Sequence, residues 1–356
     1  MVKQLARRVL PAAAMALVPL SAGALQRVVS PSGPFTSIRS AINASQAGDS
    51  VVVSTGVYYE RLVLRAGVHV KAATPGGAIV DAEGEGSAVT AISVTLPTSV
   101  TGLVFRNGSA VFGGGLYALG SSPAFTDCEF DANTAVLGGG AYLRDGSRAT
   151  FLRCTFSNNF ASGAGGGVYL DYSPASLSYC RMAGNQASDG GALSANNAAE
   201  ATVFAATMYS NLARDGAVLA SNDASPSYTN CTIVGNSAGV SVFGLRSSGT
   251  RIERCIVAFN TAPAFGCSGS AGPWIGCNIL YANASNLVCA GDQGTNLELN
   301  PLFCGPLHLD FTLAQNSPAA GGACGALGAL GVACPAQSIE TAVRASTWTG
   351  LKRLYR

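Results

Sequence analysis

The sequence predicts an all-β chain wound as a right-handed parallel β-helix, a solenoid with a short capping helix at its N-terminal end. Three observations predict it: a repeat of 24 to 26 residues, an asparagine at one phase of that repeat, and glycine clusters at another.

The period emerges from cysteine. Cys128, Cys154 and Cys180 are 26 residues apart, Ala206 holds the next place, and Cys231, Cys255 and Cys277 follow. Two positions after each stands an apolar residue: Phe130, Phe156, Met182, Met208, Ile233, Val257 and Ile279. Five positions after the first six stands asparagine, at Asn133, Asn159, Asn185, Asn211, Asn236 and Asn260, and two residues later always alanine. So short a period is wrong for paired-helix repeats or propeller blades. It suits one coil of three short strands and three turns, each coil stacking about 4.8 Å from the next. The cysteine and the apolar residue two places on then share a strand face and point into the core. The asparagine falls at a turn, where its amide can bond the equivalent amide of the next coil and where the left-handed conformation is tolerated. Gly113-Gly114-Gly115, Gly138-Gly139-Gly140, Gly165-Gly166-Gly167 and Gly190-Gly191 recur in phase, as close approach of coils or positive φ requires. No L-x-x-L-x-L frame supports a leucine-rich solenoid.

Residues 1–24 read as a secretory signal. Lys3, Arg7 and Arg8 precede an apolar stretch from Val9 to Leu20, and Ala22-Gly23-Ala24 supplies the small residues of a cleavage site. The stretch is too short to span a bilayer, and no later segment reaches about 18 uninterrupted apolar residues, so no transmembrane segment is expected after signal removal. The β-helix with its end caps is expected over 25–334, and 335–356 as a linker and basic-aromatic tail. An open solenoid needs covered ends. Thr36 is the expected N-cap of a helix whose Ile38, Ala41 and Ile42 form one apolar stripe; residues 300–334 are expected to close the far end. In the tail, Leu351, Leu354 and Tyr355 share a helical face beside Lys352, Arg353 and Arg356, a pattern able to contact the envelope or sorting machinery.

Composition narrows the partners. Only 11% of residues are charged, against 48% hydrophobic and 44 glycines, which suits many short buried strands and tight turns and argues against disorder. Of 21 basic and 19 acidic residues, three basic ones lie in the signal, leaving 18 against 19. No basic field exists for a phosphate backbone, so nucleic acid is not an expected partner.

The alternation of Gly139-Gly140-Ala141 with Phe130-Asp131-Ala132-Asn133 resembles the repeats of chlamydial polymorphic outer-membrane proteins. More broadly it is similar to secreted bacterial β-helix proteins of the pectin-lyase-like class. Pro34-Phe35-Thr36-Ser37-Ile38, Gly48-Asp49-Ser50-Val51-Val52-Val53 and Gly56-Val57-Tyr58 at the entry carry the same resemblance. So do Asn300-Pro301-Leu302-Phe303, Asp310-Phe311-Thr312-Leu313 and Ser317-Pro318-Ala319 at the exit. The resemblance covers roughly residues 30–334 and implies a fold; polymorphic proteins also end in a membrane barrel, for which this chain is too short.

Three groups of residues are candidates for chemistry. Asp145, Asp171, Asn197 and Asp223 recur at 26-residue intervals. Asp189 and Asp215, also 26 apart, precede the glycine clusters. Carboxylates one coil apart can serve as nucleophile and acid in a retaining glycosidase, or bind Ca²⁺. Asp and Asn also sit at turns because they turn chains, and their interchange along the ladder favours that reading. Tyr117, Tyr142 and Tyr169 each follow a glycine triplet by two positions. Outward, they would be a platform for sugar rings; inward, core. Leu193 and Val218 at the matching places of later coils favour core. Polygalacturonase-like enzymes carry N-T-D, D-D, G-H-G and R-I-K motifs, none of which is present. Pectate lyase-like sites need an acidic Ca²⁺ cluster with an Arg or Lys base, for which Arg144 and Arg214 beside Asp145 and Asp215 are the nearest match. An aromatic-framed aspartate pair of the pectin methylesterase kind is not apparent. No P-loop, H-E-x-x-H, Rossmann or C-x-x-C pattern occurs, so neither cofactor nor metal is expected. Stacked in-register strands aim neighbouring Cβ atoms the same way, so Cys128, Cys154 and Cys180 are expected as buried thiols. Bridges are expected among Cys267, Cys289, Cys304, Cys324 and Cys334. The expected protein is a secreted or cell-surface, non-enzymatic binding or structural module contacting polysaccharide or surface glycan. The alternative is a polysaccharide lyase or glycoside hydrolase using stacked carboxylates.

Overall fold

The computed structural model describes residues 23–270, 272–286, 289 and 291–337. The signal segment up to residue 22 and the tail from residue 338 onward lie outside the described residues. Within them the chain is a right-handed parallel β-helix of about ten coils. Its strands stack into long parallel faces of eleven, ten and nine strands and a shorter one of six. A middle coil therefore carries four strands rather than the expected three: Ala124–Thr126, Glu129–Asp131, Thr134–Leu137 and Ala141–Arg144. The fourth arises because the stretch between asparagine and glycine is itself extended and pairs from coil to coil.

Alternation within each strand sends Phe105, Phe130, Phe156, Met182, Met208, Ile233 and Val257 inward, all fully buried. Phe130 and Phe156 stack 5.0 Å apart, and Phe125 and Phe151 stack 5.4 Å apart across the core from them. The asparagine ladder runs as the repeat predicts. Asn159 Oδ1 accepts from the main-chain N–H of Asn133 at 3.0 Å and from its side-chain amide at 3.1 Å, and Asn133 Nδ2 also donates to the Phe105 carbonyl. The left-handed conformation, however, falls on the residue before each rung, as at Ala132, Asn158 and Ser210. The ladder asparagine supplies the hydrogen bonds instead.

Cys128, Cys154, Cys180, Cys231 and Cys255 are buried free thiols. Cys277 departs from the repeat. The coil after Cys255 is one residue shorter, so Asn278 stands below Cys255 and accepts its N–H at 2.9 Å. Leu280, not Ile279, takes the place beside Val257, and Asn283 adds a rung to the asparagine ladder. Cys277, thereby outside the core, is bridged to Cys324, a pairing outside the expected set; the other bridges are Cys267–Cys289 and Cys304–Cys334, with Cα separations of 5.6, 6.0 and 5.8 Å respectively.

The capping helix spans Ile38–Ala44 and buries Ile38, Ala41 and Ile42. Its N-cap is Ser37, one residue after the expected Thr36; the Ser37 hydroxyl accepts from Ser40 N–H. The Glu60 carboxylate of the next coil accepts from the amides of Ile38 and Arg39. Of residues 300–334, expected to close the far end, the larger apolar side chains turn to the flank. Phe303, Phe311, Leu313, Ala319 and Leu327 pack along the outside of the ten-stranded face, against Tyr209, Val234, Ile256 and Ile279. Outward apolar residues on those last coils make the flank, rather than the end, the place to bury that segment. Among the described residues no helix is long and apolar enough to cross a membrane.

Candidate functional site

The nine-stranded face sets the site. Leu116 and Ala118 are buried on either side of Tyr117, so the tyrosine points outward. Pairing then runs from Tyr117 to Tyr142, Tyr169, Ser194, Ala220, Gly244 and Gly266. The core reading of the tyrosines fails, because Leu193 and Val218 are not their equivalents: Leu193 pairs with Val168 and faces inward. The rings stack on one another, Tyr117 on Tyr142 at 5.9 Å and Tyr142 on Tyr169 at 5.2 Å, with Phe112 stacked 5.1 Å from Tyr142. Their faces are thus spent on each other, and Tyr142 is only 2% exposed. A platform of three open rings does not form.

The column stops at Tyr169. Beyond it the same position shrinks to Ser194, Ala220 and Gly244, leaving a recess of about 180 Å³ that the Tyr169 ring bounds at one end. Asp189 and Asp215, from the six-stranded face, line it with Asn196, Asn222 and Arg246. The two aspartates are direct register partners in consecutive coils. Arg214 donates to both oxygens of Asp189 at 3.2 Å. Asp215 is 7% exposed and accepts from Ser241 Oγ and from Arg246, each at 2.8 Å. Glycine at 244 leaves room for Asp215, since a Cβ there would stand 2.8 Å from its Oδ1. Burial, then the Asp171 charge, raises the pKa of the Tyr169 hydroxyl above the ordinary phenol value. It stays a donor at neutral pH.

The other aspartates do not join this recess as one ladder. The strand Phe160–Ala164 carries a bulge in its pairing, so Asp171 falls opposite Arg144 and Asn196. Asp145 and Asp223 occupy left-handed turns at φ 54° and 51°, with Tyr172 and Asn197 at the equivalent places. Asp145 is exposed beside Arg144 at 3.3 Å. Asp171 instead accepts from Tyr142 Oη at 3.2 Å and from Asn197 at 2.7 Å. Among the described residues no three His, Cys, Asp or Glu side chains converge so as to hold a metal ion. Arg246, Asn196, Asn222, Ser194 and Gly244 were not singled out from sequence. Their signal is the run of diminishing side chains after Tyr169, legible only once the register is known.

Fold and site together define a right-handed parallel β-helix with a polar recess on an outer face. Residues 98–244 match the family model described as right handed beta helix region. Among solved structures, the chain is similar to pectate lyase Pel9A at 14% identity, over 88% of this chain and 97% of that one, with a TM-score of 0.56. It is also similar to pectin methylesterase PemA from Erwinia chrysanthemi, at 14% identity over 77% and 92% of the two chains and a TM-score of 0.36. Pectin methylesterase from carrot matches at 11% identity over 79% and 90%, with a TM-score of 0.39. No curated protein sequence matches. At these identities the likeness to Pel9A is one of fold.

Proposed function

We propose that the chain is an exported glycan-binding β-helix protein in which a sugar ring lies against Tyr169 in the recess. The observation that carries this reading is the Tyr169 ring, stacked on Tyr142 and lining the recess beside hydrogen-bonding groups. Aromatic faces pack the C–H surface of a sugar while amides, carboxylates and guanidinium groups bond its hydroxyls. Arg214 and Arg246 already engage both aspartates, which supports binding over acid–base work. The fold shared with a pectate lyase is in keeping with a glycan ligand. Export is supported by the basic and apolar segment at residues 1–24 and by three disulfide pairings, which suit an oxidising compartment. Residues 335–356 would then contact the envelope or sorting machinery.

The alternative, a polysaccharide lyase or glycoside hydrolase, draws on the placement of Asp189 and Asp215 in consecutive coils. One experiment separates the two. The protein without residues 1–24 is assayed on a glycan array and, with the same polysaccharides, for depolymerisation. The expected result is retention of a glycan without cleavage, weakened at least about tenfold by Tyr169→Ala. Chain cleavage lost in Asp189→Asn or Asp215→Asn would establish the enzyme instead. Retention unchanged in Tyr169→Ala would remove the recess from the reading.

A further inference from the structure

We infer that the Tyr169 recess, on the glycan-binding reading just given, selects a neutral glycan over a polyuronate. The argument rests on charge and on which hydrogen-bonding groups are spare. A polyuronate carries one carboxylate per ring, and recognising it takes cations that are not already neutralised. Around the recess Arg246 is held by Asp215, Arg214 by Asp189 and Arg144 by Asp145. Asp171 stands behind the stacked tyrosines with a tyrosine hydroxyl and an asparagine amide as partners, and no arginine. Those seven charged groups comprise four carboxylates and three guanidinium groups, so the surroundings carry one surplus negative charge.

Arg246 holds Asp215 through Nη2 alone, so an acidic ligand would meet a cation whose charge the Asp215 carboxylate already offsets. That carboxylate is 7% exposed, and stripping its guanidinium partner would leave a buried charge with Ser241 alone, a strongly unfavourable change. The other spare groups that line the recess are neutral. Among the described residues neither the Tyr169 hydroxyl nor the Asn222 amide has a hydrogen-bond partner, and both line the recess. Asn196 turns its amide to Ser194 Oγ at 2.9 Å and keeps its carbonyl oxygen open. A phenol and two side-chain amides match sugar hydroxyls. The small floor of Ser194, Ala220 and Gly244 admits the ring without offering a cation.

The test is titration calorimetry of the chain without residues 1–24 against two sets of hexasaccharides. The neutral set is the cello-, manno-, xylo- and methyl-esterified galacturono-hexasaccharides; the acidic set is demethylated hexagalacturonate and hexamannuronate. Each is measured at roughly 50 and 500 mM NaCl, where screening of exposed charge differs strongly. The expected result is that the tightest ligand is neutral, at least about tenfold tighter than any acidic one, with an affinity that salt leaves unchanged. The Asp189→Asn variant, which releases Arg214, is expected to narrow that gap by raising affinity for the acidic set. A tightest ligand that carries carboxylates and weakens with salt would overturn the inference while leaving glycan binding standing. Binding of no hexasaccharide in either set would overturn both.

Discussion

Asn211 Oδ1 accepts two hydrogen bonds from Asn185, one from its main-chain N–H at 3.1 Å and one from its side-chain amide at 3.0 Å. The same amide donates to the Phe156 carbonyl of the preceding coil at 2.9 Å. Every rung is therefore a buried crosspiece between three coils, and each rung depends on its neighbours. Replacing Asn185 with Ala strands the main-chain amide of Asn159 and removes one donor each from Asn211 Oδ1 and the Phe156 carbonyl. The expected cost is about 1–3 kcal/mol, or more if the vacated site stays dry. Urea denaturation of the variant checks it, and a midpoint equal to wild type would refute the ladder as a stabilising chain.

The cysteine ladder makes a chemical prediction. Burial pushes the Cys180 thiol up to about 12; at Cys255 burial raises the thiol, with the neighbouring Cys231 adding to it. Thiolate is the reactive form. Native protein at pH 8 is expected to resist iodoacetamide at Cys128, Cys154, Cys180, Cys231 and Cys255, and to take up label at all five after unfolding. Mass mapping should recover Cys267–Cys289, Cys277–Cys324 and Cys304–Cys334 as the linked pairs. A bridge between Cys128 and Cys154 would contradict the structure.

The glycine clusters are a matter of space. A Cβ at Gly166 would stand 2.5 Å from the Gly191 carbonyl oxygen and 2.6 Å from that of Gln186, whereas nothing lies within 4 Å of one at Gly321. Both are backbone of the next coil, which cannot move without parting the coils. Gly166→Ala is expected to cost at least ~3 kcal/mol, and Gly321→Ala to stay within about 0.5 kcal/mol of wild type. Paired thermal melts of the two variants provide the measurement.

Acid should loosen the N-terminal end. The amides of Gln46 and Leu25, with the Arg27 guanidinium, hold the Asp49 carboxyl below its ordinary value against some burial. At Asp81 burial works the other way, but the Glu83 amide, Asn107 and Arg106 outweigh it. A carboxyl lowered in the folded state contributes fully above its unfolded pKa of about 3.9, and the contribution disappears as pH falls through the lower folded value. Stability is therefore expected to drop as pH falls below about 4. Asp49→Asn should show a shallower drop in denaturation midpoint over that window. An identical acid profile in the variant would show that Asp49 does not contribute.

Much of the architecture was legible without coordinates, and the residues show why. Asn133 to Asn260 and the inward aromatics repeat because each coil repeats one local problem, so periodicity alone determined a solenoid, its core face and its asparagine ladder. Local counting could not determine register. The bulge in Phe160–Ala164 adds a residue to one coil, the coil after Asp171 is correspondingly short, and the even spacing of Asp145, Asp171, Asn197 and Asp223 conceals both changes. An error of one residue exchanges the two faces of a strand, which is how Leu193 was matched to Tyr169 and Cys277 to Cys255. Only tertiary structure decided that Tyr169 ends its column above Ser194, Ala220 and Gly244, and that Asp215 rests on Gly244 with Arg246 over it. The same holds for residues 300–334, whose Phe303 and Phe311 lie on the flank rather than the end. Those placements depend on which side chains of distant coils stand opposite one another, and the side-chain volumes available there are set by stacking across coils rather than by neighbours along the chain.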